Sequence, residues 1–297
     1  MSTKGFMMFA YNNEQLDYTQ LALVAAYACK KYMPDIPVVL VTNQQSLEHC
    51  KDTHGPAIMK AAWDDIILTN PEYEKNMRLH HDGAYHSFNA QFTNTNKHDI
   101  YNLSPFDETI LIDTDYLCGN NNLEKLFGGQ YDVAMYRDAR NLQMQEPYTT
   151  ERWLHYAGIR MWWSTVVYWR KSEEAEHFFN VWTAVKKNWE YYRFLYKFPG
   201  SLYRTDYSAS IAAHMCNGWQ DGGFIGEIPN YMRYQDQRDD IVEVKGPNKW
   251  VMLSNLPEEW KNIVVEISGE DVHMMNKKSI LRNYEKIMEE LAWPYTL

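Results

Sequence analysis

Asp113 and Asp115 flank Thr114 immediately after the apolar run Glu108-Thr-Ile-Leu-Ile112. If the strand continues through them, its period of two puts both carboxylates on one side and Thr114 on the other. Two like charges so placed repel. A hard divalent cation relieves that repulsion and keeps coordination positions open for diphosphate oxygens, so the pair suits a metal that grips a diphosphate leaving group. The plainer alternative is that Asp-Thr-Asp ends a strand and caps a turn, as Asp often does. His273 is a further candidate ligand, because it follows the apolar strand Val264-Val-Glu-Ile267 and precedes Lys277 and Lys278. His80 and His81 are neighbours in sequence, which seldom point at one ion, and they read as loop residues.

The elements that must position these groups follow from hydrophobic patterning. Gly5 to Ala10 is an apolar run stopped by Tyr11-Asn12-Asn13, the pattern of a buried strand. Leu16, Leu21, Val24, Ala25 and Ala28 recur at helical spacing until Pro34, and Pro37 to Thr42 supplies a second strand. This strand, helix, strand unit opens a parallel α/β sheet. Further strands are predicted at Glu108–Ile112, Tyr131–Met135 and Ser164–Trp169, with a helix after the last that Ser172 caps. Another helix is predicted from Asp206 to Gly218, and a closing amphipathic helix from Lys277 to Leu291. Ligands of open α/β sheets bind beyond the carboxyl ends of the strands, where Tyr11–Asn13 and Asp113–Asp115 both lie.

The 297 residues suffice for one large domain, and 45% hydrophobic with 23% charged residues is ordinary globular usage. No run approaches the length of a membrane span, and Met1-Ser-Thr-Lys-Gly-Phe6 lacks a secretory h-region, so a cytoplasmic protein is expected. Cys29, Cys50, Cys118 and Cys216 form no CxxC pair, which suits reduced thiols without a role. A net charge of -10 disfavours a surface built throughout for polyanions. From Tyr136 to Thr205, however, 11 Lys/Arg stand against 7 Asp/Glu, with 18 of the 44 aromatic residues.

The run from Asn96 through Lys97, Tyr101 and Phe106 to Ile112-Asp113-Thr114-Asp115 resembles the Lys…Asp-x-Asp stretch of glycogenin-like glycosyltransferases, family eight of the GT-A fold. Four other segments fall in the order of that family. Phe9-Ala10-Tyr11-Asn12 matches its nucleotide-binding start, and Trp163-Ser164-Thr165 stands at its Asn-Ser/Ala-Gly. Thr205-Asp206-Tyr207 stands at its Asp-Gln, and His273 to Lys278 at its late His-x-x-Gly-x-x-Lys. The resemblance implies a single GT-A (Rossmann-like) α/β domain over residues 1–297, with a mostly parallel central sheet flanked by helices. It implies a retaining transferase, for hexosyl or pentosyl groups, that moves a sugar from a nucleoside diphosphate donor to a hydroxyl acceptor.

Carried over residue by residue, Asp113, Asp115 and His273 would hold Mn²⁺ or Mg²⁺, with Asp113 also near the ribose. Phe9, Ala10, Tyr11, Asn12, Lys97, Ser164 and Lys277 or Lys278 would line the donor. Asp206 would act beside the anomeric carbon, where a carboxylate favours an oxocarbenium-like transition state. The sequence departs from the family at three points. Asn276 replaces Gly and the lysines come early, Tyr207 replaces Gln, and the Asn-Ser-Gly slot loses a small residue, which points to a different or smaller sugar.

Within the basic, aromatic segment 136–205, Trp153, Trp162, Trp163, Trp169, Trp182 and Trp189 read either as core or as an acceptor-side platform. Arg152, Arg160, Arg170, Lys186, Lys187, Arg193, Lys197 and Arg204 interleave with them. Such a platform suits a carbohydrate chain or a nucleic-acid strand, so a sugar transferase acting on modified DNA is one rival. A nucleotidyltransferase and a non-catalytic carbohydrate-binding module are the others.

Overall fold

The computed structural model of the chain describes residues 3–70, 76–147, 153–154, 158–198, 202–256 and 261–292. Strand β1 (Lys4–Ala10) is buried beyond its first residue, as a strand covered on both faces must be. Asp17 caps α1 (Tyr18–Tyr32) by accepting from the Gln20 N–H, and the helix ends at Met33, just before Pro34. β2 (Val38–Thr42) pairs parallel with β1 and completes the expected unit. Helices α2 (Gln44–His54) and α3 (Pro56–Ala62) and strand β3 (Asp65–Leu68) extend the layer. The hairpin of β4 (Met77–Asp82) and β5 (His86–Gln91) turns at Gly83, whose φ of 75° only glycine adopts without strain. A short α4 (Ile100–Leu103) leads into β6 (Glu108–Ile112).

Short strands follow: β7 (Tyr116–Leu117), β8 (Val133–Tyr136), β9 (Ala139–Arg140), β10 (Trp153–Leu154) and β11 (Ile159–Arg160). β12 (Trp163–Arg170) then runs into α5 (Glu173–Lys187), where Ser172 accepts from the Ala175 N–H as its pattern predicts. Helices α6 (Trp189–Leu195) and α7 (Thr205–Cys216) precede β13 (Gly226–Glu227) and β14 (Met232–Gln235). The antiparallel meander β15 (Asp240–Gly246), β16 (Lys249–Leu256) and β17 (Lys261–Ser268) comes next, and then β18 (Val272–Met274). The predicted closing helix is two helices, α8 (Lys277–Arg282) and α9 (Tyr284–Ala292). They break at Asn283, whose side chain donates to the Ser279 carbonyl and caps the first.

The central sheet has the order β13-β8-β12-β6-β1-β2-β3. β12 is antiparallel to β6 and β8, and the other pairings are parallel, so the mostly parallel α/β class holds. Helix α1 packs on β1 and β2 and on α9, and α7 packs on β12 and α5. A second sheet has the order β7-β18-β14-β9. Among the described residues no helix is long and apolar enough to cross a membrane. Cys29 and Cys118, distant in sequence, meet in the core with their sulfurs 3.6 Å apart, both as free thiols.

The tryptophans of the basic segment belong to the core. Trp162, Trp163, Trp169, Trp182 and Trp189 are all buried, with Trp169 and Trp182 at 0% exposure. The neighbouring cations satisfy surface partners: Arg160 pairs with Asp138, Arg170 with Asp132 and Arg193 with Glu190. Lys186 stands over the Tyr203 ring. Of these indoles only Trp163, stacked on Tyr234, borders a cavity, and none forms an exposed platform for stacked bases, so these residues give the modified-DNA acceptor no support. Arg152 and the Trp153 side chain lie outside the described residues.

Candidate active site

The acid pair is positioned by a turn and not by strand alternation. β6 ends at Ile112, the Asp113 N–H donates to the Thr165 carbonyl, and the Tyr116 N–H closes a turn onto the Asp113 carbonyl. Asp113, Thr114 and Asp115 therefore all border one cavity, and Thr114 does not face away as a strand would require. The turn delivers Tyr116 to β7, which pairs antiparallel with β18 and sets His273 opposite Tyr116. The Met274 N–H donates to the Asp115 carbonyl at 2.7 Å, tying the two segments beside the acids. One ligand atom each from Asp113, Asp115 and His273 falls within 4.8 Å of the others. His273 Nε2 lies 3.4 Å from Asp115 Oδ1, and its Nδ1 lies 3.4 Å from Thr165 Oγ1.

Each acid also holds a lysine. Lys97 Nζ, 3% exposed, is 2.5 Å from Asp113 Oδ1 and donates to the Ser164 carbonyl at 3.1 Å. Lys277 Nζ is 2.5 Å from Asp115 Oδ2. Asn276 sets that lysine by capping α8, accepting from the Ser279 N–H, and by donating to the Asp239 carbonyl. The two acids respond differently to burial. Burial raises Asp113, with the Asp115 charge adding to it, and Lys97 offsets this only in part. Asp115 is also opposed by burial, yet Lys277 and His273 hold it well below the usual carboxylate range. Burial disfavours the charged Lys277, but Asp115 keeps its ammonium raised.

Asp206 sits in the first turn of α7, where its Oδ1 accepts from both the N–H and the hydroxyl of Ser164, at 2.9 and 2.8 Å. Burial disfavours its charge, and Arg204, Lys97 and the Ser164 bonds outweigh that, so the carboxyl is lowered and ionised at neutral pH. The cavity, about 720 Å³, is bordered by Phe9, Tyr11, Lys97, Asp113, Asp115, Asp206, His273 and Lys277 together.

The other sequence candidates are placed apart from it. Ala10 is fully buried, and Asn12 bonds to Thr19 in α1. Ser164 is buried and reaches the cavity through Asp206. Of the two lysines, Lys277 faces the acids, while Lys278 donates to the Gln15 carbonyl and stands over the Phe88 ring. Tyr11 borders the cavity with its hydroxyl 2.6 Å from Thr69 Oγ1.

The cavity also takes Arg78 and His80 from β4, and the His80-His81 pair, expected in a loop, lies in that strand. His80 is 6% exposed, and burial, with the nearby Lys277 and Arg78 charges, lowers it to about 4, so it is neutral at physiological pH. The signal for the hairpin was present in Asp82-Gly83 between two stretches of strand length.

No family model and no curated protein matches the chain. Among solved structures it is similar to a galactosyltransferase, LgtC, solved with donor and acceptor sugar analogs. There the identity is 13% over 70% of this chain and 69% of that one, with a TM-score of 0.44. It is similar to the apo form of the glycosyltransferase GlyE of Streptococcus pneumoniae TIGR4, at 13% identity over 70% of this chain and a TM-score of 0.39. The aligned part spans 42% of the length of GlyE. The PaToxG glycosyltransferase gives 11% identity over 72% of this chain and 69% of that one, with a TM-score of 0.37.

Proposed function

We propose that this chain is a metal-dependent, retaining glycosyltransferase of the GT-A type that moves a sugar from a nucleoside diphosphate to a hydroxyl acceptor, a carbohydrate among the candidates. The observation that carries this reading is the convergence of Asp113, Asp115 and His273 within 4.8 Å, in one cavity with Lys97, Lys277 and Asp206. Two carboxylates and an imidazole form a donor set that fits Mn²⁺ or Mg²⁺. Such an ion, when bound, offsets the charge that grows on the departing diphosphate.

The chain's own residues do the rest. Lys277, which borders the cavity beside Asp115, would supply a second positive charge to a diphosphate held there. Lys97 ties Asp113 to the Ser164 carbonyl and so helps to fix the turn that carries both acids. Asp206 is kept anionic and is aimed by Ser164, which suits it to stabilise positive charge at an anomeric carbon. Strand β4 adds Arg78 and the buried His80 to the wall of the cavity.

The test is turnover of a panel of uridine, guanosine and adenosine diphosphate sugars, with neutral hexoses, pentoses and uronates all represented, in the presence of Mn²⁺, followed as released nucleoside diphosphate. Asp115→Ala is expected to abolish that release in a protein that remains folded, and undiminished release would sink the proposal. Release of pyrophosphate from a nucleoside triphosphate would instead mark nucleotidyl transfer.

A further inference from the structure

Hairpin β4–β5 brings a cation to the cavity that the acid pair does not account for. Arg78 Nη2 donates to the Tyr203 carbonyl at 2.8 Å, and its guanidinium lies 3.5 Å from the centre of the Phe92 ring. Its Nε is shielded from solvent without a hydrogen-bond partner, and among the described residues Arg78 forms no ion pair. Its strongest charged neighbour is a second cation, Arg204, and burial together with that like charge lowers the Arg78 guanidinium to about 10. Arg204 Nη1 donates to the Tyr207 hydroxyl at 3.2 Å, and its Nη2 lies 3.9 Å from Asp206 Oδ2. Of these two guanidinium groups, only that of Arg204 lies within ion-pair distance of Asp206.

A partly buried guanidinium with a shielded, unpartnered N–H and no ion pair is costly unless a ligand supplies the charge. The stacking on Phe92 and the bond to Tyr203 hold the guanidinium ready for such a ligand. A planar fork of N–H groups matches a carboxylate in a bidentate way. We propose that Arg78 and Arg204 form an anion subsite for a carboxylate on the sugar, so that the substrate of this cavity is an acidic, uronate-type sugar and not a neutral hexose. This rests on the sugar-transfer reading above. A diphosphate is the less suitable occupant of the subsite, because the groups suited to it are Asp115 with His273 and Lys277, whereas Arg204 of the subsite lies 3.9 Å from Asp206, the carboxylate proposed to act beside the sugar.

The experiment compares the wild-type chain with Arg78→Gln and Arg78→Lys by thermal shift, using D-glucuronate, D-glucose and Mn²⁺ with pyrophosphate as separate probes. Wild type is expected to bind glucuronate roughly tenfold more tightly than glucose, the scale of one charge-assisted contact. Arg78→Gln is expected to lose that preference, Arg78→Lys to keep part of it, and all three proteins to bind Mn²⁺ with pyrophosphate alike. Equal binding of the two sugars, a preference that survives Arg78→Gln, or a loss of pyrophosphate binding in that variant would each overturn the subsite. Normal pyrophosphate binding with no sugar preference counts against the subsite alone. Failure of wild type to bind Mn²⁺ with pyrophosphate counts against the proposed function and removes the subsite with it.

Discussion

Lys277 Nζ and Asp115 Oδ2 lie 2.5 Å apart, 162 positions distant in the chain, so the carboxylate suited to a divalent ion already holds a cation of the protein itself. Both side chains are largely buried, and neither has bulk water to replace the other. The ammonium and a metal ion are therefore rivals for one carboxylate.

That rivalry predicts the behaviour of Lys277→Met. Removing one partner of a buried pair typically costs about 3–5 kcal/mol, so the variant is expected to melt several degrees below wild type in chelator. Mn²⁺ is expected to raise its melting temperature by more than it raises that of wild type, because the ion then fills an uncompensated site. Differential scanning fluorimetry with and without Mn²⁺ measures this. Equal shifts in both proteins would show that lysine and metal do not compete.

Asp206→Asn separates charge from shape. An amide oxygen still accepts from the Ser164 N–H and hydroxyl, so the first turn of α7 should keep its place. Loss of the anion is expected to lower kcat by about 100-fold or more with little change in KM for the donor. Steady-state kinetics at saturating acceptor decides it, and a change in KM alone would assign the residue to ground-state binding.

Trp182 links the core to the site. Its ring packs with Phe178 and Phe179, and its Nε1–H donates to Ser208 Oγ at 2.8 Å, two residues beyond Asp206. Trp182→Ala is expected to cost about 3–5 kcal/mol. Trp182→Phe, which keeps most of the packing and drops the hydrogen bond, is expected to cost about 1 kcal/mol. Urea unfolding midpoints measure both, and similar losses would mean that the bond, not the packing, holds α5 to α7.

Asp239 gives the molecule a pH signature. Burial raises its carboxyl from 3.8 to about 6, against the bonds it accepts from the Asn255 and Asp236 N–H groups. The folded state therefore binds this proton more readily than the unfolded chain does. Its contribution to stability falls as pH rises from about 4 to about 6 and is constant above. The difference in unfolding free energy between wild type and Asp239→Asn, taken from urea titrations at several pH values, should drop through that window. A flat difference would contradict the assignment.

The strand, helix, strand opening, β6, β12 and the Ser172 cap were legible in the sequence because each depends on neighbours within a few positions. Apolar spacing and a capping hydroxyl act locally. The closing helix was legible in its apolar stripe but not in its break at Asn283, which a side-chain bond to the Ser279 carbonyl imposes. The tryptophans of residues 136–205 were ambiguous for a related reason: composition places aromatic residues near cations without saying which side of the sheet they face.

By itself the sequence determined the α/β class and the acids Asp113 and Asp115 at a strand end, with His273 and Asp206 as their candidate companions. Only the tertiary structure decided that a turn aims the acids, that β7 and β18 bring His273 to them, and that Lys277, not Lys278, meets Asp115. It also brought Arg78 and His80 into the cavity from a hairpin. Periodicity is set along the chain, whereas a cavity is set by which distant strands exchange hydrogen bonds, and no local pattern records that choice.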